Sequence, residues 1–337
     1  MAEPILSVRA LETFFRPDEG VVRAVDGASF DLYPGRTLGI VGESGCGKSV
    51  TARSILRIVE RPGKVEGGEI WLRREDGSRL NLAAIDERGA EMRAIRGGEI
   101  GYVFQEPMSS LSAFHTIGNQ VTEAIRLHRS VSKKEARERA IELLRLVGIP
   151  RPEQRVDSYS FELSGGLRQR VMIALALAAE PRILIADEPT TALDVTTQAQ
   201  ILDLIRKIQA ERHLAVILIT HDMGVIAEMV DGVAVMYLGK IVETGPVDTI
   251  FHAPKHPYTQ ALLRSIPSVL AEPRSRLATI SGSIPHPYAR PQGCPFHPRC
   301  KDAMAGLCEL REPAVTRLSE EHEVRCFLYE QPAEVLQ

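Results

Sequence analysis

Continuous apolar segments alternate along the chain with longer segments in which apolar residues recur at helical spacing. The continuous runs are typical of strands buried on both faces of a parallel sheet, and they lie at 37–41, 183–186, 214–220 and 233–237. The first of them is followed by a glycine-rich stretch and then by helical spacing over 50–59. The pattern predicts an α/β fold with a central sheet.

The N-terminal part of the chain shows a different pattern, in which apolar and polar residues alternate with a period of two. Residues 5–15 and 21–32 alternate in this way, and residues 67–82 read as a strand pair around a turn. These segments predict an antiparallel β subdomain. Phe14 and Phe15 are successive and face opposite sides of a strand, so we expect one ring in the core and the other free to stack on a base, with core packing of both rings as the alternative.

Residues 116–149 are predicted to be mostly helical. Ser132 precedes Glu135 by three residues, which is the signature of a capped helix start. Gly148 and Pro150 end the pattern. We therefore predict a helical subdomain inserted between strands, over about residues 107–180.

Bulk composition narrows the class of protein. The chain has 337 residues and a formal net charge of −3, so no basic excess indicates a nucleic-acid partner. No apolar run approaches the roughly 18 to 20 residues that span a bilayer. The first residues, 1–4, lack the features of a signal peptide. These observations predict a protein that is cytoplasmic and soluble, or peripheral on a membrane.

A glycine-rich loop connects the first predicted parallel strand to its helix. Its sequence is Gly42-Glu43-Ser44-Gly45-Cys46-Gly47-Lys48-Ser49. Glycines let consecutive N–H groups point at an anion, and the following helix directs its positive end to the same place. The spacing predicts Lys48 on the β- and γ-phosphates of a nucleotide and the Ser49 hydroxyl on Mg²⁺. The alternative, a glycine turn that carries Lys and Ser by chance, is disfavoured by the flanking strand and helix.

Polar residues follow three of the predicted buried strands. Gln105 ends the strand over 100–104, Asp187 and Glu188 end the strand over 183–186, and His221 follows 214–220. Ligands of open α/β sheets bind at such carboxyl ends. Asp187 suits Mg²⁺, Glu188 is placed to orient or deprotonate a water, and His221 is a candidate γ-phosphate sensor. Structural roles remain the alternative for each residue alone.

Two further helix starts carry polar caps. Ser164-Gly165-Gly166, between Leu163 and Leu167, precedes an apolar helix over 171–179 and is a second N-terminus suited to anions. Asp194 precedes a helix predicted over 195–210 and is expected to cap it. Either signal alone is weak.

Taken in order, these motifs resemble the ATP-binding subunit of an ABC transporter, over about residues 5–265. The resemblance assigns the following positions: 42–49 to the Walker A loop, with Val50 also near ATP; Phe15 to adenine stacking; Gln105 to the Q-loop and Mg²⁺; Leu163–Leu167 to the signature; 183–188 to Walker B with Glu188 catalytic; Asp194 to the D-loop; and His221 to the switch histidine. Two positions depart from the family pattern. Leu167 replaces the usual Gln, as is common in the peptide-transporter branch, and residues 112–115 differ from the usual Asn-Pro.

The resemblance also implies partners. Two ATP-binding domains face head to tail, so that each ATP lies between the Walker A loop of one subunit and the signature serine of the other. A second, non-identical ATP-binding subunit, two integral membrane permease subunits and an extracytoplasmic solute-binding protein are therefore expected. The chain is expected at the cytoplasmic face of the bacterial inner membrane, with no nucleic acid bound.

The C-terminal part resembles the oligopeptide, dipeptide and nickel importer branch, beginning with His256-Pro257-Tyr258-Thr259. We predict an ATPase domain over 1–255 and an extension over 256–337. The extension carries four cysteines, Cys294, Cys300, Cys308 and Cys326. Their spacing is not the C-x₂-C of common zinc ribbons, so a tetrahedral metal, a [4Fe–4S] cluster and ordinary thiols all stay open. The resemblance implies the [4Fe–4S] cluster. We expect His286 and His297 to be structural residues rather than ligands.

The resemblance leaves the cargo open, because ATP-binding subunits do not touch it. Import of dipeptides or oligopeptides is the leading interpretation, and nickel, opines or oligosaccharides are the alternatives. A soluble ABC ATPase acting on DNA or ribosomes is the second alternative. Such proteins usually carry two cassettes or a long coiled coil, whereas this chain has one cassette and no long heptad run.

Overall fold

The structure, a computed structural model, describes residues 3–106, 110–266 and 280–330. Within these residues the strands are β1 (Leu6–Phe15), β2 (Val22–Leu32), β3 (Thr37–Val41), β4 (Gly63–Arg73), β5 (Arg79–Asn81), β6 (Ile100–Val103), β7 (Ile183–Asp187), β8 (Ala215–Thr220), β9 (Gly232–Tyr237), β10 (Lys240–Pro246), β11 (Thr316–Arg317) and β12 (Glu323–Val324). The α-helices are α1 (Lys48–Ile55), α2 (Ala90–Gly98), α3 (Ile117–His128), α4 (Lys133–Leu146), α5 (Pro152–Arg155), α6 (Gly165–Ala176), α7 (Val195–Arg212), α8 (Met223–Met229), α9 (Val247–His252) and α10 (Pro257–Arg264).

The chain divides into two compact units, each built from several segments. Unit 1 comprises Met1–Leu6, Leu32–Thr37 and Leu72–Ile219. Unit 2 comprises Ser7–Asp31, Leu38–Trp71 and Thr220–Gln337. The predicted extension from residue 256 is thus part of unit 2, and the predicted division at residue 255 stays a prediction.

Unit 1 contains a parallel arrangement of β6, β7 and β8, in which Tyr102 is level with Ile185 and Ile185 with Ile217. Every residue of β7 is buried, as the continuous apolar run predicts. Because parallel strands end at the same edge of a sheet, the polar residues after β6 and β7 lie at one edge.

Helices α3 and α4 confirm that residues 116–149 are mostly helical, while the subdomain over about 107–180 stays a prediction. Ser132 caps α4 by accepting a hydrogen bond from the N–H of Glu135. The apolar faces of α3 and α4 are buried, for example at Val121 and Leu144. Residues 107–109 of the predicted subdomain lie outside the described residues.

Unit 2 contains β3, which pairs in parallel with β9 so that Ile40 is level with Ala234. β10 pairs antiparallel with both β9 and β12, and β12 with β11. A second sheet has the neighbouring order β2-β1-β4. The last two strands, β11 and β12, belong to the extension, which therefore continues the sheet of β3, β9 and β10.

Two helices differ in extent from their predictions. Helix α1 ends at Ile55 rather than 59, because Arg57 adopts a left-handed φ of 53°. Helix α2 has a kink at Arg96 and Gly97. Helix α6 begins six residues before the predicted 171, because Ser164 caps it and the two glycines form its first turn.

The expectation that either Phe14 or Phe15 is a core residue is wrong. Both rings are half-buried. The guanidinium of Arg23 lies over the Phe14 ring, 5.5 Å from its centroid. The Phe15 ring packs so closely on Gly63 that an added Cβ would lie 2.6 Å from it. Phe15 is therefore held against a glycine and keeps part of its surface accessible.

Candidate functional site

The glycine-rich loop of unit 2 encloses the ammonium group of Lys48. This side chain is 4% exposed, and its Nζ donates hydrogen bonds to the carbonyls of Gly42 at 2.9 Å and Glu43 at 3.1 Å. The loop is thus wrapped around a buried positive charge at the start of α1. This is the arrangement that the motif predicts for a polyphosphate site.

Two glycines of the loop admit no larger residue. Gly47 has φ 107°, and a Cβ there would lie 2.1 Å from the carbonyl oxygen of Ala24. A Cβ on Gly42 would lie 2.1 Å from the carbonyl oxygen of Met236. The backbones of β2 and β9 therefore support the loop from behind, while Ser44 and Gly45 at its tip are exposed.

Cys46 fills the interior of the same loop. It is 3% exposed, and burial raises the pKa of its thiol to about 11. Its carbonyl accepts a hydrogen bond of 2.8 Å from the N–H of Gly239. Cys46 is therefore a neutral packing residue rather than a reactive thiol.

In unit 1 the carboxylate of Asp187 ends β7 and is 1% exposed. The hydroxyl of Tyr102 donates a 2.8 Å hydrogen bond to its Oδ2. Sequence reasoning missed Tyr102, although its place on β6 three residues before Gln105 puts it beside β7. A buried, oriented carboxylate at this edge suits a hard divalent cation.

Glu188 is held by contacts on both its backbone and its side chain. It adopts a left-handed φ of 46°, and its N–H donates to the carbonyl of Ile219. The Nε2 of Gln105 and the hydroxyl of Thr191 donate to its Oε2 at 3.0 and 2.9 Å. The structure thus brings together Gln105 and Glu188, as the sequence predicts, and adds Thr191, which sequence reasoning missed.

The predicted signature segment forms the start of α6. The Ser164 hydroxyl accepts a hydrogen bond from the N–H of Leu167. Ser164 and Gly165 are exposed, whereas Leu163 is buried. A Cβ on Gly166 would lie 2.6 Å from the methyl of Thr197, so α6 packs tightly on α7 here. The first residues of this helix start, Ser164 and Gly165, are thus at the surface of the chain.

Asp194 and His221 lie in different units. Asp194 caps α7, and hydrogen bonds from the backbone N–H and the hydroxyl of Thr197 lower the pKa of its carboxyl. His221 is exposed and follows β8. The next residue, Asp222, accepts hydrogen bonds from the N–H groups of Gly224 and Val225 and so begins α8.

The extension also contacts the loop, which sequence reasoning did not foresee. The N–H of Glu43 donates to the hydroxyl of Tyr258 at 2.8 Å, and the Glu43 carboxylate pairs with Arg299. Tyr258 is fully buried against Tyr237 and Phe296. Tyr258 stands in the branch motif, but nothing in the sequence pointed to the loop as its partner.

The four extension cysteines line one small cavity, together with His297. All are free thiols. Burial raises the pKa of Cys294 to about 11 and that of Cys326 to about 12, so both are protonated at neutral pH. Among the residues that the structure describes, no three His, Cys, Asp or Glu side chains are grouped so that they could hold a metal ion.

The described helices include none that combines the length and the apolar character needed to cross a bilayer.

Comparison with known proteins identifies the family. Residues 25–191 match the family model described as ABC transporter, and residues 242–308 match the one described as oligopeptide/dipeptide transporter, C-terminal region. The dipeptide transport ATP-binding protein DppD of Bacillus subtilis is 48% identical, over 98% of this chain and 97% of its own length. A peptide import ATP-binding protein of Brucella ovis is 47% identical, over 98% of this chain and 99% of its own.

A solved structure agrees with these relatives. The dimeric ATP-binding cassette MJ0796, in a post-hydrolysis state with ADP and phosphate, is 27% identical with a TM-score of 0.63. It covers 72% of this chain and 98% of its own. The fold is thus the α/β fold of ABC-type P-loop ATPases with an antiparallel β subdomain. The chain belongs to the oligopeptide/dipeptide family of ABC transporter ATP-binding proteins, and it is an ATPase that hydrolyses ATP to drive transport.

Proposed function

We propose that this chain energises the import of dipeptides or oligopeptides across the cytoplasmic membrane. The observation that carries the proposal is the match of residues 242–308 to the oligopeptide/dipeptide transporter C-terminal region. The names of the Bacillus subtilis and Brucella ovis relatives support it. The alternative is that the same ATPase subunit energises the import of nickel, opines or oligosaccharides.

The proposed ATP site begins at the loop of residues 42–49. Its backbone and Lys48 hold the phosphates, Val50 lies at the start of the same helix, and Phe15 is proposed to stack on adenine. Ser49, Asp187 and Gln105 are the proposed Mg²⁺ ligands. The buried carboxylate of Asp187, oriented by a tyrosine hydroxyl, fits that ion. Bound Mg²⁺ supplies charge neutralisation at the phosphates.

The proposed hydrolytic step uses residues of this chain around an in-line water. Glu188 orients and deprotonates the water, and His221 donates to the γ-phosphate. The hydrogen bonds from Gln105 and Thr191 hold the Glu188 carboxylate in one orientation. A nucleotide that engages Gln105 would release one of these restraints.

The signature segment is proposed to act on the ATP of a second ATP-binding subunit. Ser164 and Gly165 are exposed at the start of α6, where the helix N-terminus attracts an anion. A dimer of two non-identical ATPases, two permease subunits and a solute-binding protein complete the proposed complex. We expect the chain at the cytoplasmic face of the inner membrane, without nucleic acid. The ATPase domain is proposed for 1–255 and the extension for 256–337.

A [4Fe–4S] cluster is proposed for Cys294, Cys300, Cys308 and Cys326. The support for this proposal is that the four thiols line one cavity and that four cysteine thiolates are the usual ligands of such a cluster. When bound, the cluster would link the segments that carry these cysteines.

Anaerobic purification is expected to yield protein that contains iron and sulfide, and both are expected to be lost in Cys300→Ser. Zinc alone in the metal analysis would reject the cluster.

The cargo is tested by reconstituting the chain with the permease and solute-binding subunits encoded beside it. Peptide-loaded binding protein is expected to stimulate ATP hydrolysis several-fold over the empty protein. Stimulation by nickel or an oligosaccharide, with none by peptide, would favour the alternative cargo. Co-purification with ribosomes or DNA and no association with membranes would reject transport altogether.

The catalytic assignment is tested by Glu188→Gln. The variant is expected to bind ATP normally but to lose about 10²- to 10⁴-fold in turnover, because the amide cannot take the proton of the water. Glu180→Gln, at an exposed carboxylate, is the matched control. Turnover measured in the reconstituted complex decides, and retained hydrolysis would show that Glu188 is not the base.

A further inference from the structure

One buried ion pair joins the cysteine-bearing extension to the phosphate-binding loop. The Nη1 of Arg299 donates to Oε2 of Glu43 at 2.6 Å, and its Nη2 donates to Oε1 at 2.9 Å. The Arg299 side chain is 4% exposed and the Glu43 side chain 21%. A bidentate pair of this kind fixes the orientation of both side chains as well as neutralising their charges, and burial protects the pair from screening by salt.

Arg299 is itself fixed by the extension. Its Nε donates to the carbonyl of Ser281 at 3.0 Å, and its guanidinium lies 5.8 Å from the centroid of the Tyr237 ring. Phe296, in the turn just before it, packs edge-on against Tyr237. These contacts hold the guanidinium of Arg299 in one position beside the loop.

Glu43 supplies one of the two backbone carbonyls that accept hydrogen bonds from Lys48. Its carbonyl accepts the Lys48 ammonium, and its N–H donates to Tyr258. The ion pair with Arg299 therefore fixes the side chain of Glu43. The backbone of Glu43 contacts Lys48 through its carbonyl and Tyr258 of the extension through its N–H. A movement of Glu43 would move the acceptor that holds the ammonium.

The pair also removes a charge conflict. A free carboxylate in a loop built to bind a polyphosphate would repel that ligand, and the repulsion is strong where solvent is excluded. Arg299 neutralises this carboxylate. Arg290 forms a separate ion pair with Asp26 of β2, through one nitrogen at 3.0 Å, so a second cation of the extension reaches the strand behind the loop.

We propose that Arg299 is a positioning residue of the ATP site: by holding and neutralising Glu43, it gives the loop its affinity for ATP. The proposal rests on the function proposed for residues 42–49. It makes the extension part of the nucleotide site, acting through Glu43 and without contact to ATP.

The test measures the Kd for MgATP together with KM and kcat for hydrolysis. Arg299→Gln is expected to raise Kd and KM about tenfold, because a buried charged pair is lost. The kcat at saturating ATP is expected to stay within about twofold of the wild-type value. Arg299→Lys keeps the charge but loses one prong, and an intermediate Kd is expected. Adding Glu43→Gln to Arg299→Gln is expected to recover part of the affinity, because the uncompensated carboxylate is gone.

Arg317→Gln is the matched control, since Arg317 pairs with Glu323 at the exposed surface of the same extension. It is expected to leave Kd unchanged. Unchanged Kd in folded Arg299→Gln, or a double variant that binds no better than the single one, overturns the proposal. If Arg299→Gln does not fold, Glu43→Asp decides, since it shortens the pair from the loop side. Unchanged Kd in that variant likewise overturns the proposal.

Lys48→Ala separates this proposal from the proposed function. If Lys48→Ala binds ATP as well as the wild type, the loop is not the nucleotide site and the proposed function fails. If Lys48→Ala abolishes binding while the Arg299 variants bind normally, the site stands and only the role of Arg299 fails.

Discussion

Two adjacent carboxylates at the end of β7 lie in different surroundings. Asp187 is deeply buried and accepts one hydrogen bond from Tyr102, whereas Glu188 is half-buried and accepts two on a single oxygen. Glu188 also adopts a left-handed φ of 46°. The buried carboxylate of Asp187 fits the Mg²⁺ role proposed for it, and the more accessible carboxylate of Glu188 fits its proposed role on the attacking water.

Tyr102→Phe tests the positioning of the proposed Mg²⁺ ligand. The variant removes the hydrogen bond that Tyr102 donates to Oδ2 of Asp187, so we expect the Mg²⁺ concentration for half-maximal hydrolysis to rise about three- to tenfold. ATP binding without Mg²⁺ is expected to stay unchanged. Titration of hydrolysis with Mg²⁺ checks this, with Tyr288→Phe as the control at a partly exposed ring. An unchanged Mg²⁺ requirement would contradict a role for Tyr102.

At the scale of elements, polar caps decide where helices begin. Ser132, Ser164 and Asp194 each accept a hydrogen bond from an N–H in the first turn of the helix that follows. The sequence predicts all three as capped helix starts. The apolar run predicted over 171–179 begins six residues after the start of α6, because the first turn of that helix contains two glycines, which carry no apolar periodicity.

Ser132→Ala measures the contribution of one cap away from the nucleotide site. Helix α4 would lose the side-chain acceptor for the N–H of Glu135, so the free energy of unfolding is expected to fall by about 1 kcal/mol. Urea unfolding followed by circular dichroism measures this value. Ser132→Asp preserves the cap and is expected to remain near the wild type. Equal losses in both variants would show that capping is not the cause.

At the scale of the whole molecule, distant segments of sequence meet within unit 2. Asp26 of β2 pairs with Lys240 of β10 and with Arg290 of the extension, both at 3.0 Å. Lys240 also pairs with Glu312 at 2.8 Å. Burial alone would raise the pKa of Asp26, but the hydrogen bond from Lys240 and the charge of Arg290 outweigh it and lower the pKa. The extension is thus tied to the strand beside the loop by charge as well as by packing.

Asp26→Asn is expected to destabilise the protein in a pH-dependent way. Because the folded pKa lies below the unfolded value of about 3.9, the carboxylate stabilises the fold above that pH, and the gain is lost as the pH falls through the folded pKa. The loss at pH 7 is expected to be on the order of 3 kcal/mol, since two cations lose their buried partner. Unfolding at pH 7, 5 and 3 should give equal differences at pH 7 and 5 and a smaller one at pH 3.

The exposed pair of Asp31 with Arg9 supplies the control for that measurement. Asp31→Asn is expected to cost less than about 1 kcal/mol at pH 7, because solvent screens the pair. If Asp26→Asn costs no more than Asp31→Asn, the buried network does not stabilise the extension.

Local features of the sequence were enough to predict the position of the glycine-rich loop, the buried strands with polar residues at their ends, and the order of the motifs. Residues 42–49 were predicted to bind phosphates because a glycine-rich loop with Lys and Ser, placed between a buried strand and a helix, is typical of a phosphate site. Asp187 and Glu188 were predicted because a fully apolar strand ended at them. These signals are local in sequence, since a strand and its terminal residue are neighbours along the chain.

Only the tertiary structure decided which distant side chains support the site. Tyr102 reaches Asp187 through the parallel register of β6 and β7, and Arg299 reaches Glu43 across 256 positions of sequence. A buried ion pair depends on where two segments pack, and neither residue carries a local signal of the other. The sequence by itself therefore determined the chemistry of the phosphate loop, while the packing of the extension decided what holds that loop in place.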